Sequence, residues 1–172
     1  ISALLMMTVD IGLSLPLILM AVLLAVVLGA SYGTVIVVIG LLLWPRYARQ
    51  IRGEVLAIRE QDFVALARTA GCSGWRIMVK HLLPNVVPTL LVMVTLQVCY
   101  VILLESSLSF LGVGIPPPQP AWGLMVADGR GMLASAWWVS LFPGLAISFT
   151  VLALNYLGDH VRDRLDPKLR QV

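Results

Sequence analysis

The chain alternates between long apolar segments without charge and two segments rich in charged residues. No Asp, Glu, Lys or Arg occurs in residues 11–44, 86–104 or 131–158. A soluble domain would scatter charged residues over the outer surface of its helices. Because about 20 apolar residues in a helix span the ~30 Å hydrocarbon layer of a bilayer, this pattern predicts an all-α, polytopic helical membrane protein.

The apolar pattern predicts four membrane-spanning helices within a single transmembrane domain of residues 1–172. The predicted spans are residues 11–30, 32–47, 85–108 and 137–158. The second span is short, because its apolar run ends at Trp44 and is followed by Pro45 and Arg46. A helix of this length either continues towards Tyr47 or lies among other protein segments.

Basic residues are concentrated at two places, and their positions predict the orientation of the spans. Of the twelve Lys and Arg residues, seven lie in residues 46–81, four lie in the tail 159–172, and the last is Arg130. Short segments rich in Lys and Arg are retained on the cytoplasmic side of a membrane. We therefore expect a cytoplasmic loop at 46–81, an external loop at 109–136 and a cytoplasmic tail at 159–172.

Composition argues against several other classes of protein. With 59% hydrophobic and 12% charged residues, the chain has about half the charged fraction of an ordinary soluble domain. The net charge of +3 does not indicate a nucleic-acid partner, because the basic residues cluster beside apolar spans. Cys72 and Cys99 lie in different environments, so we expect free thiols. His81 and His160 have no neighbouring ligands in the sequence, and no metal site is predicted.

The charged segment 46–81 contains two short stretches in which apolar residues recur at helical spacing. The first stretch has apolar residues at i, i+3, i+4 and i+7, namely Phe63, Leu66, Ala67 and Ala70. The second stretch repeats this spacing with Trp75, Met78, Val79 and Leu82. We predict two amphipathic helices, the first ended by Gly71 and the second closed by Pro84. They either bind a partner, pack on the protein's own membrane core or lie in the membrane interface.

The same segment resembles the coupling loop of binding-protein-dependent ABC importer permeases. That loop carries Glu-Ala-Ala, three residues, Gly, nine residues and Ile-x-Leu-Pro, which fall here on Ala65-Leu66-Ala67, Gly71 and His81-Leu82-Leu83-Pro84. The departures from the pattern are Ala65 for Glu, Leu66 for Ala and His81 for Ile. Because position 65 lacks the Glu, Asp62 or Arg68 would have to make any ionic contact with the ATPase.

Three further segments resemble the branch of this family that imports dipeptides, oligopeptides, glutathione and nickel. They are residues 44–49, residues 105–112, and residues 157–167 with Gly158-Asp159, Arg162-Asp163 and Asp166-Pro167. Together with the coupling loop, the resemblance covers essentially the whole chain. It implies the permease of a peptide importer, with nickel or glutathione import by the same branch as the alternative.

The resemblance also implies a larger assembly with a type I ABC importer core in the bacterial inner membrane. The chain would be a C-terminal fragment that lacks an N-terminal span, an external segment and a further span. Its partners would be a homologous permease subunit, two cytoplasmic ATPase subunits, an external substrate-binding protein and membrane lipid. Because the chain has no Gly-x-x-x-x-Gly-Lys-Ser/Thr run, ATP and Mg would be held by the ATPase subunits. No enzyme activity, catalytic residue or cofactor is predicted for this chain.

Two groups of candidate site residues follow from the resemblance and from the polarity of the spans. The ATPase-coupling group is Asp62, Ala65, Leu66, Ala67, Arg68, Gly71 and Pro84. We predict that Ala67, on the face shared with Phe63 and Ala70, contacts the groove of the partner. Polar side chains inside spans face protein or a water-filled path rather than lipid. Gln97 and Asn155 therefore either line the substrate pathway or join helices by hydrogen bonds.

Two other classes of function are compatible with a multi-span protein. An intramembrane enzyme would require paired acids, a His-Glu-x-x-His run or a Gly-x-Ser-x-Gly turn, and the sequence contains none of these. An uncoupled channel or a scaffold subunit would have similar spans but no partner that supplies energy. Copurification of ATPase subunits favours the importer, whereas flux without ATP favours the channel.

Overall fold

The computed structural model describes residues 2–165, and within that range it consists of helices joined by turns and loops, with no β-strand. The helices are α1 (Ser2–Ser14), α2 (Leu17–Leu28), α3 (Tyr32–Arg59), α4 (Asp62–Thr69), α5 (Gly74–Ile77), α6 (Leu83–Phe110), α7 (Trp122–Gly129), α8 (Leu133–Ala136) and α9 (Trp138–Leu165). The predicted all-α architecture is confirmed. Residues 166–172 of the predicted tail, including Asp166 and Pro167, lie outside the described residues.

The first predicted span, residues 11–30, is not a single straight helix. It is divided between α1 and α2, which meet at an angle of 93°. The break lies at Leu15 and Pro16, and Pro16 has the extended dihedral angles φ −61° and ψ 115°. Proline has no amide hydrogen for the helix and restricts the residue before it to extended conformations. Pro16 therefore divides the first predicted span into two helices, and whether the pair crosses the membrane as one broken span stays a prediction.

Helix α3 extends well beyond the predicted second span, residues 32–47. It contains 28 residues, so the predicted loop 46–81 begins as a continuation of this helix. Pro45 lies inside α3 and is fully buried. A Cβ atom on Gly12 of α1 would lie 3.0 Å from the ring of Pro45, so the two helices are in close contact there. This packing maintains the helix across a residue that removes one of its hydrogen bonds.

The second short helix and the third predicted span form one continuous helical segment, Gly74–Phe110. The prediction that Pro84 closes a helix is therefore wrong. A π-helical turn at Met78–Leu82 joins α5 to α6, and the N–H of Leu83 donates to the carbonyl of Met78, five residues earlier. Pro84 then occupies the first turn of α6, where a missing amide hydrogen costs little.

Neighbouring long helices of the fold run antiparallel. Between α3 and α6, the contacts progress in opposite directions along the two helices, from Glu54–Thr89 to Arg46–Tyr100. Between α6 and α9 they do the same, from Thr95–Gly158 to Cys99–Val151. The coupling-loop residues and the end of α9 therefore lie at one end of the helices, and the loop 109–136 lies at the other. Which end faces the cytoplasm stays a prediction.

Three helical segments in the described part of the chain are long and apolar enough to cross a membrane: Tyr32–Arg59, Gly74–Phe110 and Trp138–Asp163. The bent pair α1 and α2 forms a fourth if it counts as one broken span. A buried core joins α2, α3 and α6 through Ala21, Val35, Val38, Ile39, Leu43, Leu104 and Leu108. Many other large apolar side chains are exposed, as expected for surfaces that face lipid or other subunits.

The segment 105–112 folds the following loop back onto the end of α6. Ser109 is buried, and its hydroxyl donates to Oε1 of Glu105 at 2.6 Å and accepts the N–H of Ile115 at 3.2 Å. A Cβ atom on Gly114 would lie 2.2 Å from the Ser109 hydroxyl oxygen, so the backbone passes directly over this serine. Glu105 therefore stabilises the loop through Ser109.

Helix α7 lies within the segment predicted as the loop 109–136. It packs against α6 and α9 through two glycines. A Cβ atom on Gly123 would lie 2.1 Å from the carbonyl oxygen of Ser106, and one on Gly129 would lie 2.3 Å from Oγ of Ser140. Any side chain at these positions would overlap its neighbour, so this close packing of α7 requires glycine at both.

We expect Gly123→Ala to lower the thermal stability of the purified protein. The added methyl group overlaps the backbone of α6, and overpacking of this kind costs about 1–3 kcal/mol. Gly131→Ala is a matched control in the same loop, because a Cβ atom there has no neighbour within 4 Å. Thermal unfolding in detergent measures both variants. Equal unfolding midpoints for the two variants would contradict the close contact between α6 and α7.

Candidate functional site

Helix α4 and the turn after it are shaped by a glycine. The helix ends at Thr69, and Gly71 has a φ of +77°, in the left-handed region that other residues rarely adopt. The N–H of Gly71 donates to the carbonyl of Arg68 at 3.0 Å, and the N–H of Cys72 donates to the carbonyl of Ala67 at 3.1 Å. These two bonds form a Schellman motif, which satisfies carbonyl groups at the end of a helix. The prediction that Gly71 ends the helix is confirmed.

The buried side of α4 differs from the side that its residue spacing indicated. Val64 and Ala67 are buried, at 0% and 9% exposure, whereas Phe63 and Leu66 are 37% and 67% exposed. Val64 and Ala67 are three residues apart and therefore share one side of the helix. That side packs on the protein's own chain, so the prediction that Ala67 contacts the groove of a partner is wrong.

A buried apolar cluster attaches α4 to the long helices. It takes residues from α3, α4, α5 and α6, namely Ile58, Val64, Ala67, Ile77 and Val86. Partly buried side chains surround it, including Ile51 and Val55 of α3 and Leu90 of α6. Because protein interiors are densely packed, a displacement of α4 is transmitted through this cluster to α3 and α6.

Large apolar side chains are exposed on the other side of α4 and along the helical segment that follows. These residues, which we call the exposed apolar face, are Phe63, Leu66, Trp75, Met78 and Val79. Trp75 is 71% exposed. Clustered exposed apolar residues mark sites that bind protein or membrane. The face lies at the end of the molecule where the basic residues of the loop 46–81 are concentrated.

Charged and small residues accompany this face. Asp62 lies in the first turn of α4 and Arg68 in its last turn, where each complements the helix dipole. Both are exposed, and Ala65 is exposed between them. Gly71 and Pro84 are exposed as well. These residues of the predicted coupling group, together with Leu66 but not Ala67, are therefore accessible to a partner.

A cleft of about 520 Å³ lies between α3 and α6. Its walls include Gly40, Trp44 and Tyr47 of α3 and Val94, Gln97 and Val101 of α6. Within residues 2–165, Nε2 of Gln97 is buried and has no hydrogen-bond partner. A buried donor without a partner is uncommon in proteins, and its position beside a cleft is suited to a ligand that carries an acceptor.

Only one of the two predicted pathway residues lines the cleft, and the structure adds two residues that sequence reasoning missed. Asn155 is half-buried on α9 and is not among the residues that line the cleft. Val64 is the most buried residue of α4, and its spacing of three from Ala67 was a signal present in the sequence. Glu54 of α3 pairs with Thr89 of α6, but nothing in the sequence distinguishes Glu54 from the other acids nearby.

Comparison with known proteins gives the family of the chain. The family described as binding-protein-dependent transport system inner membrane component matches residues 1–171. The chain belongs to this family. The resemblance drawn from the four sequence segments is thereby confirmed. Members of the family are inner membrane components, in agreement with the apolar helices that are long enough to cross a membrane.

Three curated relatives show the extent of the similarity. A putative peptide transport system permease protein of Brucella suis is 46% identical over 167 residues, which are 97% of this chain and 56% of the relative. A putative peptide permease protein of Brucella ovis is 42% identical over 168 residues, 96% of this chain and 56% of the relative. A glutathione transport system permease protein of Escherichia coli is 40% identical over 167 residues, 97% of this chain and 55% of the relative. The chain thus spans about half the length of these curated relatives.

Proposed function

We propose that the chain forms part of the permease subunit of an ATP-driven importer that carries small peptides across the bacterial inner membrane. The observation that supports this most strongly is the exposed apolar face, which lies on α4 and the segment after it, together with the buried cluster that joins α4 to the long helices α3 and α6. The face offers a partner a binding surface. The cluster behind the face gives that partner a mechanical connection to α3 and α6.

The proposed mechanism is alternating access driven by a separate ATPase. A rigid surface helix in a groove of the ATPase moves with that groove, and the attached long helices then change their relative positions. ATP shifts the balance between two conformations only by the difference in its binding to them, so the contacts of α4 differ between the states. Asp62, Ala65, Leu66 and Arg68 are the proposed contact residues, and Gly71 and Pro84 shape the segment that presents them.

The proposed assembly contains a homologous permease subunit, two cytoplasmic ATPase subunits and an external substrate-binding protein. ATP and Mg belong to the ATPase subunits, and hydrolysis takes place there. In this arrangement the loop 46–81 and the tail 159–172 face the cytoplasm, and the loop 109–136 faces outwards. Eleven of the twelve basic residues then lie in cytoplasmic segments, as the positive-inside rule requires.

The proposed substrates are di- or oligopeptides, with glutathione as a close alternative because it is itself a small peptide. The support comes from the relatives, whose names specify peptide transport in Brucella and glutathione transport in Escherichia coli. Both kinds of substrate carry carbonyl and carboxylate oxygens. Such oxygens are acceptors for the amide donor of Gln97 in the cleft.

Uptake by reconstituted vesicles tests the proposal. The full-length permease is purified together with the proposed second permease, ATPases and binding protein and placed in liposomes. Labelled dialanine, glutathione and nickel ions are offered in turn, with ATP, with a non-hydrolysable analogue and without nucleotide. We expect accumulation of a peptide only with ATP and the binding protein. Flux without ATP would indicate a channel, and nickel uptake without peptide uptake would reassign the substrate.

We expect Gln97→Leu to reduce peptide uptake at least several-fold while assembly and basal ATP hydrolysis stay close to wild type. Nε2 of Gln97 has no partner in the described chain, so an apolar replacement leaves no broken hydrogen bond from that atom. Val94→Leu is the matched control, because it adds an apolar group to the same cleft and leaves the amide in place. Wild-type uptake by Gln97→Leu would remove Gln97 from the pathway, and loss of assembly would support a role in joining helices. Asn155→Leu is tested in the same way.

A further inference from the structure

Glu54 of α3 and Thr89 of α6 form a side-chain hydrogen bond between these two long helices. The hydroxyl of Thr89 in α6 donates to Oε1 of Glu54 in α3 at 2.5 Å, and both residues are half-buried. Within residues 2–165, the other carboxylate oxygen of Glu54, Oε2, is buried and has no hydrogen-bond partner. One oxygen of the Glu54 carboxylate is therefore hydrogen-bonded, and the other is not.

The contact lies next to the cluster that holds α4. Glu54 precedes Ile58 by four residues on α3, and Thr89 follows Val86 by three residues on α6. Residues at these spacings lie on the same side of a helix. Ile58 and Val86 are both members of the cluster, and Val55 packs against it beside Glu54. The hydrogen bond is thus one helical turn from the packing that attaches α4 to the long helices.

An arrangement of this kind is unfavourable for stability alone. A buried carboxylate oxygen without a donor loses its hydration and gains nothing in return, whereas an apolar pair of similar shape would fill the same space without this cost. Buried polar atoms without partners are uncommon in folded proteins and require a specific explanation. A second conformation in which Oε2 receives a donor provides one.

We propose that Glu54 and Thr89 form a latch that sets the position of α3 relative to α6 beside the cluster that holds α4, and that Glu54 exchanges hydrogen-bond donors when the permease changes state. Glu54 is in this sense a positioning residue: it does not touch substrate but fixes the two long helices to which the cluster attaches α4. The inference rests on the proposed function, because it assigns the latch to the transport cycle. Coupling between the latch and the transport cycle requires two conformations in which the Glu54 carboxylate has different contacts.

Two substitutions together separate a latch from a static structural bond. Thr89→Val removes the donor, retains the shape of the side chain and leaves both carboxylate oxygens without a partner. Glu54→Met combined with Thr89→Val removes the polar groups from both helices, and such paired replacement is close to neutral for folding. If the hydrogen bond is only structural, Thr89→Val should impair folding and transport, and the double variant should restore both. A latch predicts that the double variant folds and assembles but transports poorly.

The experiment uses liposomes with the assembled transporter and measures ATP hydrolysed and labelled peptide accumulated, with dialanine or glutathione as the probe. We expect the ratio of ATP hydrolysed to peptide accumulated to rise at least about fivefold in the double variant, the lower limit of typical coupling between sites. Thr8→Val is the matched control, because the hydroxyl of Thr8 donates to the carbonyl of Leu5 in its own helix. In Thr8→Val the ratio of ATP hydrolysed to peptide accumulated should stay at the wild-type value.

The outcomes distinguish the latch from the proposed function. Absence of ATP-driven peptide uptake by the wild type refutes the proposed function and the latch with it. Normal uptake by the wild type together with a wild-type ratio in the double variant refutes the latch alone. If the double variant does not assemble, the ratio is measured in Glu54→Gln instead. The side-chain carbonyl of this variant still accepts from Thr89, but its NH₂ group cannot accept a hydrogen bond from a second donor. A raised ratio in Glu54→Gln supports the latch, and a wild-type ratio overturns it.

Discussion

Ala67→Asp is expected to disrupt the packing of α4 and, as a consequence, to abolish ATP-driven uptake. Ala67 is buried beside Val64 in the cluster that joins α4 to α3, α5 and α6. An unpaired carboxylate placed among the apolar side chains of this cluster costs several kcal/mol. Limited proteolysis of the purified permease measures the effect. Arg59 and Arg68 are exposed in the folded protein, and trypsin cuts beside them faster once α4 detaches and its backbone unfolds.

Ala65→Asp provides the control, since it makes the same chemical change two residues earlier on an exposed position of the same helix. We expect this variant to retain the wild-type proteolysis pattern. Both variants should still insert in the membrane, because neither position belongs to the separate buried core that joins α2, α3 and α6. Equal protease resistance of Ala67→Asp and wild type would show that α4 is not held by its own chain, contrary to the burial of Ala67.

The error over Ala67 has a physical origin. The apolar residues in and just after α4 form one broad band, with Phe63, Leu66 and Ala70 towards one edge and Val64 and Ala67 towards the other. Periodicity identifies an amphipathic helix but does not say which edge of a broad apolar band faces its own chain. Here Val64 and Ala67 pack inwards against the cluster, and the larger Phe63 and Leu66 stay exposed.

The prolines are the residues at which the predictions about helices failed. The apolar runs correctly indicated helices in all four regions, and Gly71 correctly marked the end of α4. Pro16, overlooked within an apolar run, breaks the first predicted span, whereas Pro45 and Pro84 lie within helices that continue. The difference depends on tertiary packing at Pro45 and on the π-helical turn before Pro84, and neither is a property of the local sequence.

Polar residues inside the fold were partly predictable. Gln97 stands out in the sequence because it is a polar residue in a long apolar run, and the structure places it at the cleft. Glu54 does not stand out, because it lies in a segment where acids and bases are common. Its pairing with Thr89 depends on α3 and α6 lying side by side, and the chain alone does not reveal that alignment.

Leu66→Asp is expected to release the ATPase while leaving the permease folded. Leu66 is 67% exposed on α4, so the substitution leaves the buried cluster intact. In the proposed complex the same side chain is buried in a groove of the ATPase, where an unpaired carboxylate is strongly unfavourable. We expect substrate-stimulated ATP hydrolysis and peptide uptake to fall together by at least about tenfold, since about 1.4 kcal/mol of lost binding free energy already gives that factor.

The most direct measurement is the amount of ATPase that copurifies with the permease through an affinity tag on the permease alone. The wild type and Leu56→Asp, which makes the same change at an exposed leucine of α3, should retain the ATPase in equal amounts. Leu66→Asp should retain little of it and should keep the wild-type proteolysis pattern. If Leu66→Asp retains the ATPase as fully as the wild type does, the exposed apolar face is not the surface through which ATP drives this permease.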